Sequence, residues 1–235
     1  MGPSPTAGYR QAEGRALIGL IARLVVVLAV AGLAVVLTTE RGSRPLIAKA
    51  FELDAEFNVP TLFQVGLFLF CALLLFDNGR RSRRLGNRAV FGWFAFGAVF
   101  VLLAIDELLS FHNHLAVLVP TDWADVPGLR YRWVVPGAAF AAAVAVLSVA
   151  FLLSLPRPIA MRFVAAGAVF LTGAIGMEML AAYAHSINAD MLTYELCSVV
   201  EETLEMAGLA LFASALLTQR ALLAQHAALQ NQTVT

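Results

Sequence analysis

The sequence predicts an all-α polytopic membrane protein, a bundle of six transmembrane helices forming one domain over residues 1–235. Three observations predict it. Hydrophobic residues make up 60% of the chain and charged residues 14%, against roughly half and a quarter in soluble domains. Mean hydropathy is +0.79. The apolar residues gather in six runs, at about 16–37, 61–76, 89–118, 133–155, 163–185 and 193–218, close to the roughly 20 residues a helix needs to cross a bilayer. Their Ala, Val, Leu and Phe content lacks the short alternating segments of a membrane barrel.

The first run is longer than a signal-peptide core, and Leu37-Thr38-Thr39-Glu40-Arg41-Gly42 after it offers no small-x-small cleavage site. It reads as a retained helix. The segment 46–59 spaces Ile47, Ala50, Phe51 and Phe57 helically among Lys49, Glu52, Asp54 and Glu56, which suggests a helix lying on the membrane surface. Glu52 in that connector is expected to matter for neither stability nor function. The second span is short and either borrows 58–60 or lies nearly upright. Trp123, Tyr131 and Trp133 flank the fourth span as interface anchors. Beyond Thr218 the chain turns polar and Gln-rich, a composition expected to fray. Cys71 and Cys197 sit in apolar runs with no disulfide or zinc spacing. No internal repeat appears, so inverted-repeat transporter architecture finds no support.

Orientation follows from Lys and Arg. Arg80, Arg81, Arg83, Arg84 and Arg88 crowd the second loop; Arg10, Arg15, Arg23, Arg157, Arg162 and Arg220 fall on the same side. The other side holds Arg41, Arg44, Lys49, Arg130 and Arg132. Eleven against five places both termini in the cytoplasm. Sixteen basic and sixteen acidic residues cancel, which gives no footing for a nucleic-acid partner. Membrane lipids are the expected neighbours.

The informative residues are acids where acids are costly. Asp106, Glu107, Glu178, Glu201, Glu202 and Glu205 fall inside spans three, five and six, with Glu195 near the outer start of span six. A carboxylate at mid-membrane costs about 2.5–3.5 kcal/mol even on insertion scales. No Lys or Arg lies inside these spans to pair with them; His112, His114 and His185 are the nearby candidates. Counted along the helices, Asp106, Glu178 and Glu202 lie about 25, 22 and 14 Å from their span starts, which puts all three in the outer half. Glu195, Ser198, Glu202 and Glu205 form one stripe on span six, and Glu201 neighbours Glu205. Glu107, Ser110 and His114 share a face of span three, while Asp106 aligns with Asn113. On that phase His112 sits on neither stripe. Carboxylates with imidazole suit iron, manganese, zinc or magnesium. The di-metal Glu-x-x-His and the His-Glu-x-x-His signatures are absent.

Ile105-Asp106-Glu107-x-x-Ser110-x-His112 in span three and Glu201-Glu202-x-Leu204-Glu205-Met206-x-Gly208 in span six resemble an uncharacterised group of bacterial multi-pass membrane proteins. In that group Asp-Glu is followed by Ser, His and then Glu; Asn113 stands in the last position here. The resemblance implies a bacterial inner membrane and His112 rather than His114 as the functional imidazole, and carries no activity. Three readings remain. One is a divalent-metal site of Asp106, Glu107, His112, His114, Glu178, Glu201, Glu202 and Glu205, acting on a lipid-like substrate by hydrolysis or oxidation. Another is proton or cation passage, opposed by the sparse Ser148, Thr172 and Gln64 on the remaining path. The third is a structural or sensory role with protonated acids. Topology is testable directly: reporter fusions at residue 82 and at the C-terminus should signal from the cytoplasm, and a fusion at 125 should not. A C-terminus on the far side would mean a miscounted span.

Overall fold

The computed structural model describes residues 5–53, 55, 57–87 and 90–233. Asp54, Glu56, Arg88 and Ala89, given connector, basic-loop and span roles above, lie outside the described residues, as does the side chain of Arg10. The helices are α1 (Pro5–Thr38), the one-turn α2 (Leu46–Lys49), α3 (Val59–Arg84), α4 (Val90–Leu109), the short α5 (Phe111–Leu115), α6 (Val134–Leu153), α7 (Arg157–Leu171), α8 (Glu178–Ser186) and α9 (Met191–Thr233). A π-helical segment, Thr172–Met177, joins α7 to α8 without a break. Among the described residues there is no strand. Among the same residues six helical stretches are long and apolar enough to span a membrane.

α9 is the central post. It packs against α1, α3 and the run from α7 through α8, while α3 packs on α4 and α6 leans on α7. Of its most apolar stretch 56% is buried, against 17% for α6, so α6 is peripheral. Aromatic side chains fill the arginine-rich half of the core. Phe212 of α9 meets Phe163 of α7 at 4.4 Å and Phe100 of α4 at 4.8 Å. Trp93 meets Phe151 edge-on at 4.9 Å, a geometry that aligns ring edge with ring face.

Several expected boundaries move, each for a physical reason. α3 runs past Phe76 because Asp77 accepts from Arg81 at 2.9 Å and from Arg220 at 2.8 Å, which ties the basic turn to α9. Basic residues in that last turn also suit the helix dipole. The tail after Thr218 does not fray: α9 continues to Thr233. Its Ala, Leu and Gln are good helix formers, and Leu223 is buried. The surface helix expected over 46–59 shrinks to one turn. The remainder is held by the Asn58 side chain, whose amide donates to the carbonyls of Glu52 and Ala55 and whose oxygen caps α3 at the Thr61 amide. Leu53 is buried in the core.

The largest correction concerns charge at this connector end of the bundle, which carries segments 39–58, 110–133 and 187–190. Arg44, counted only for orientation above, is 5% exposed. Its guanidinium donates to Glu195 at 2.8 Å, to Glu52 at 2.5 Å and to the Thr39 hydroxyl at 3.2 Å. Glu195 is therefore an ion-paired interior residue. Glu52 is not neutral to stability either. Removing one member of a buried pair strands the others, at about 3–5 kcal/mol. Arg44→Met should lower stability in detergent by that amount, read as a shifted unfolding transition. An unchanged transition would show that the triad contributes nothing.

Candidate functional site

Two local irregularities bring the acids together. The first is at Ser110. Its φ of 47° is left-handed, a conformation costing roughly 1–2 kcal/mol for a residue with a Cβ. It ends α4 and restarts the chain as α5. The Asp106 carboxylate stabilises the break. One oxygen accepts the His112 backbone N–H at 2.7 Å, and the other meets His112 Nδ1 at 2.9 Å. A continuous helix would rotate His112 away; the break brings it back over Asp106. His112 is therefore the histidine that the fold brings to Asp106. His114 is exposed, with its ring 6.2 Å from Phe111, and Asn113 is exposed as well.

The second irregularity is the π segment. Widened turns of this kind recur at functional sites because they re-aim the side chains that follow. Here the following residue is Glu178. Its carboxylate accepts the Trp133 indole N–H at 2.9 Å, and the Trp133 ring lies 4.5 Å from the His112 ring. Trp133, expected only as an interface anchor, thus also links Glu178 to His112.

On α9, Glu205 is 8% exposed and accepts from Gln64 Nε2 at 2.7 Å. Glu107, Glu178 and Glu201 all act electrostatically on Glu205. Asp106, Glu107 and Glu178 act in the same way on His112. Burial opposes a charge on His112, yet the Asp106 hydrogen bond and these three carboxylates outweigh it and raise its pKa above the ordinary value. Helices α3, α4, α8 and α9, with α5 and the start of α6, therefore share one polar chamber. It gathers Asp106, Glu107, His112, Glu178, Glu201 and Glu205. Glu202 is half-buried on the α9 face that also carries buried Glu195, Ser198 and Glu205. Among the described residues no three His, Cys, Asp or Glu side chains are grouped as a metal ion would need.

Sequence reasoning missed Gln64, dismissed as too sparse to matter. Its signal was its depth, since a lone amide in an apolar run needs a buried partner. Polar residues continue from it along the α3–α9 seam: Asn78 Nδ2 donates to the Leu216 carbonyl at 3.1 Å. Asn78, Ser82 and Gln219 are all buried, and Asn78 Oδ1, Ser82 Oγ and Gln219 Oε1 lack partners. The arginine-rich half is thus less bare of polar groups than the sequence suggests.

Close helix contact packs the π segment and α7 onto α9. A Cβ on Gly173, in the π segment, would lie 2.8 Å from the Glu201 carbonyl oxygen and 3.0 Å from Glu205 Cγ. A Cβ on Gly208 would likewise lie 2.8 Å from the Phe170 backbone nitrogen, which explains the glycine in the second motif. Gly173→Ala should therefore push α9 away and cost about 1–3 kcal/mol. Gly167→Ala, with open space around its Cβ, should cost nothing. Thermal unfolding of both variants in detergent reads the difference, and equal melting would sink the close-contact argument.

A family model described as Domain of unknown function (DUF8692) matches residues 15–219, and both irregularities and all the chamber residues fall inside the match. No curated protein and no solved structure matches the chain.

Proposed function

The chain belongs to the DUF8692 family, and we propose that it uses the carboxylate–histidine chamber to take up a divalent cation and present it to a lipid-like substrate in the outer half of a bacterial inner membrane. The observation that carries this reading is the Asp106–His112 contact. A carboxylate holding Nδ1 of a histidine orients the ring and leaves Nε2 as the ligand nitrogen, the outer-shell arrangement common around protein-bound metals. Asp106 is then a positioning residue. His112, Glu107, Glu178 and Glu205 become the candidate ligands, with Glu201 and Glu202 beside them. Side-chain rotation would have to draw these carboxylates inward from their present hydrogen bonds. The incentive is electrostatic: four acids lie in one another's field, and the nearest buried arginine is spent on Glu52 and Glu195. A bound cation would polarise an ester or phosphate oxygen of the substrate, the chemistry shared by metal-assisted hydrolases.

Proton or cation passage is the second reading, and the buried polar groups at Asn78, Ser82 and Gln219 favour it. They give the arginine-rich half something to conduct along. Flux through protein-containing liposomes, abolished by Glu178→Gln, would select passage. Tight metal retention without flux would select the cation site.

The cation reading makes a sharper prediction. Asp106→Asn keeps an oxygen for the His112 amide but loses the carboxylate that orients the ring, so cation affinity should fall about 10–100-fold. Glu178→Gln should lower it as well, and Asp122→Asn, on an exposed connector, should not. Elemental analysis of the purified, desalted variants measures each. Full metal content in Asp106→Asn, or none in the unmodified protein, would overturn the reading.

A further inference from the structure

The buried polar groups of the α3–α9 seam follow a register. Gln64, Cys71 and Asn78 recur at seven-residue spacing on α3, which keeps them on one helix face. Each reaches α9: Gln64 at the Glu205 carboxylate, Cys71 Sγ at the Leu209 carbonyl, 3.7 Å away, and Asn78 at the Leu216 carbonyl. The last two partners both lie 138 residues further along the chain, so the two helices run parallel and in step. One turn on, the same offset sets Ser82 abreast of Gln219 and Arg220, and Leu85 abreast of Leu223. Leu85 and Leu223 line one cavity of about 400 Å3 at the arginine-rich end, together with His226 and Leu229. The seam therefore leads at its foot into a space roomy enough for water.

Next to that cavity stand three oxygens in want of a donor. Asn78 and Ser82 are 0% exposed and Gln219 is 4% exposed. Asn78 Oδ1, Ser82 Oγ and Gln219 Oε1 have no hydrogen-bond partner. Turning the Asn78 amide over brings no relief, because its nitrogen already serves the Leu216 carbonyl. Asn78 and Ser82 are one turn apart on one face, with roughly 5–6 Å between their Cβ atoms. Gln219 follows Leu216 by one turn and shares its buried face with Leu223.

The chemistry of the occupant follows by elimination. Amide oxygens repel an anion. A cation would meet Arg81 and Arg220, which both hold Asp77, and Arg80, Arg83 and Arg84 on the same helix end. What remains is a neutral donor small enough to reach fully buried groups, and that donor is water. A buried water bridging two to four polar atoms is an ordinary part of a folded structure. The Ser82 hydroxyl both donates and accepts, so it can link one water to the next.

We propose that the arginine-rich end of the bundle holds a water inlet, in which the cavity between Leu85 and Leu223 feeds bound water to Ser82, Gln219 and Asn78. The inlet ends at Asn78. Beyond it α3 buries Leu67, Phe68, Leu74 and Leu75, and Cys71 spends its thiol on α9. The dry distance from the inlet to Gln64 and Glu205 is then two seven-residue steps, about 21 Å. Onward delivery of protons to the acid chamber rests on the passage reading above; the inlet itself does not.

The test compares two thiols that are equally buried on the same face of α3. Ser82→Cys is placed in a chain carrying Cys71→Ala and Cys197→Ala, and native Cys71 is kept in a chain carrying Cys197→Ala alone. Each purified full-length protein is exposed in detergent to silver ion, desalted and unfolded, and the thiol still free is counted with a maleimide. Silver needs water to arrive and a thiolate to bind, so Ser82→Cys should be blocked about tenfold faster than Cys71 or more. Equal rates at the two positions overturn the inlet, whether both thiols react or neither does. A second measurement needs no cysteine. Ser82→Ala should lower the unfolding transition, since it takes a partner from bound water, whereas deleting a hydroxyl that truly has no partner raises it. A raised transition overturns the proposal. Proton flux in liposomes separates the inlet from passage. Selective silver access without flux keeps the inlet and retires passage, and flux with an inert Ser82→Cys overturns the inlet alone.

Discussion

Burying carboxylates in an apolar bundle is the constraint around which this structure is arranged. α9 carries Glu195, Glu201, Glu202 and Glu205 among helices that offer it no lysine. Each acid that is deeply buried must then find a donor from elsewhere in the chain, because an unpaired carboxylate in hydrocarbon costs more than most packing can return. Glu195 finds Arg44 and Glu205 finds Gln64. Those two contacts tie the segment after α1, and α3, to the central helix at different depths. The bundle's connectivity and its charge balance are thus one problem with one solution.

The two irregular backbones follow from the same constraint. Asp106 accepts both the amide and the imidazole of His112, and the chain takes a left-handed residue at Ser110 to allow it. The π segment lets a glycine press against the α9 backbone while aiming Glu178 at Trp133. Strain of this size persists where the surrounding contacts over-determine it, and such places are often where function sits. Both irregularities border the same chamber. That coincidence is a stronger pointer to a site than the acid count, since acids alone can be held apart by protons.

The chamber is an excess of one sign, relieved through hydrogen bonds from Gln64, Trp133 and His112. A site of one sign favours a compact counter-ion.

Composition alone determined the class, because no soluble fold tolerates six apolar runs of this length, and helical periodicity placed Glu195, Ser198 and Glu205 on one inward face of α9. Hydropathy also located each span, erring at the ends where caps and ion pairs such as Asp77 with Arg220 decide where a helix stops. What only the tertiary structure decided were the partners. Arg44 lies 151 residues from Glu195, and Gln64 lies 141 from Glu205, separations over which no local pattern in the chain carries information. The choice of His112 over His114 was hidden for a different reason. Phase reasoning assumes an unbroken helix, and the break at Ser110 is stabilised by a side-chain contact that exists only once the helix has already bent.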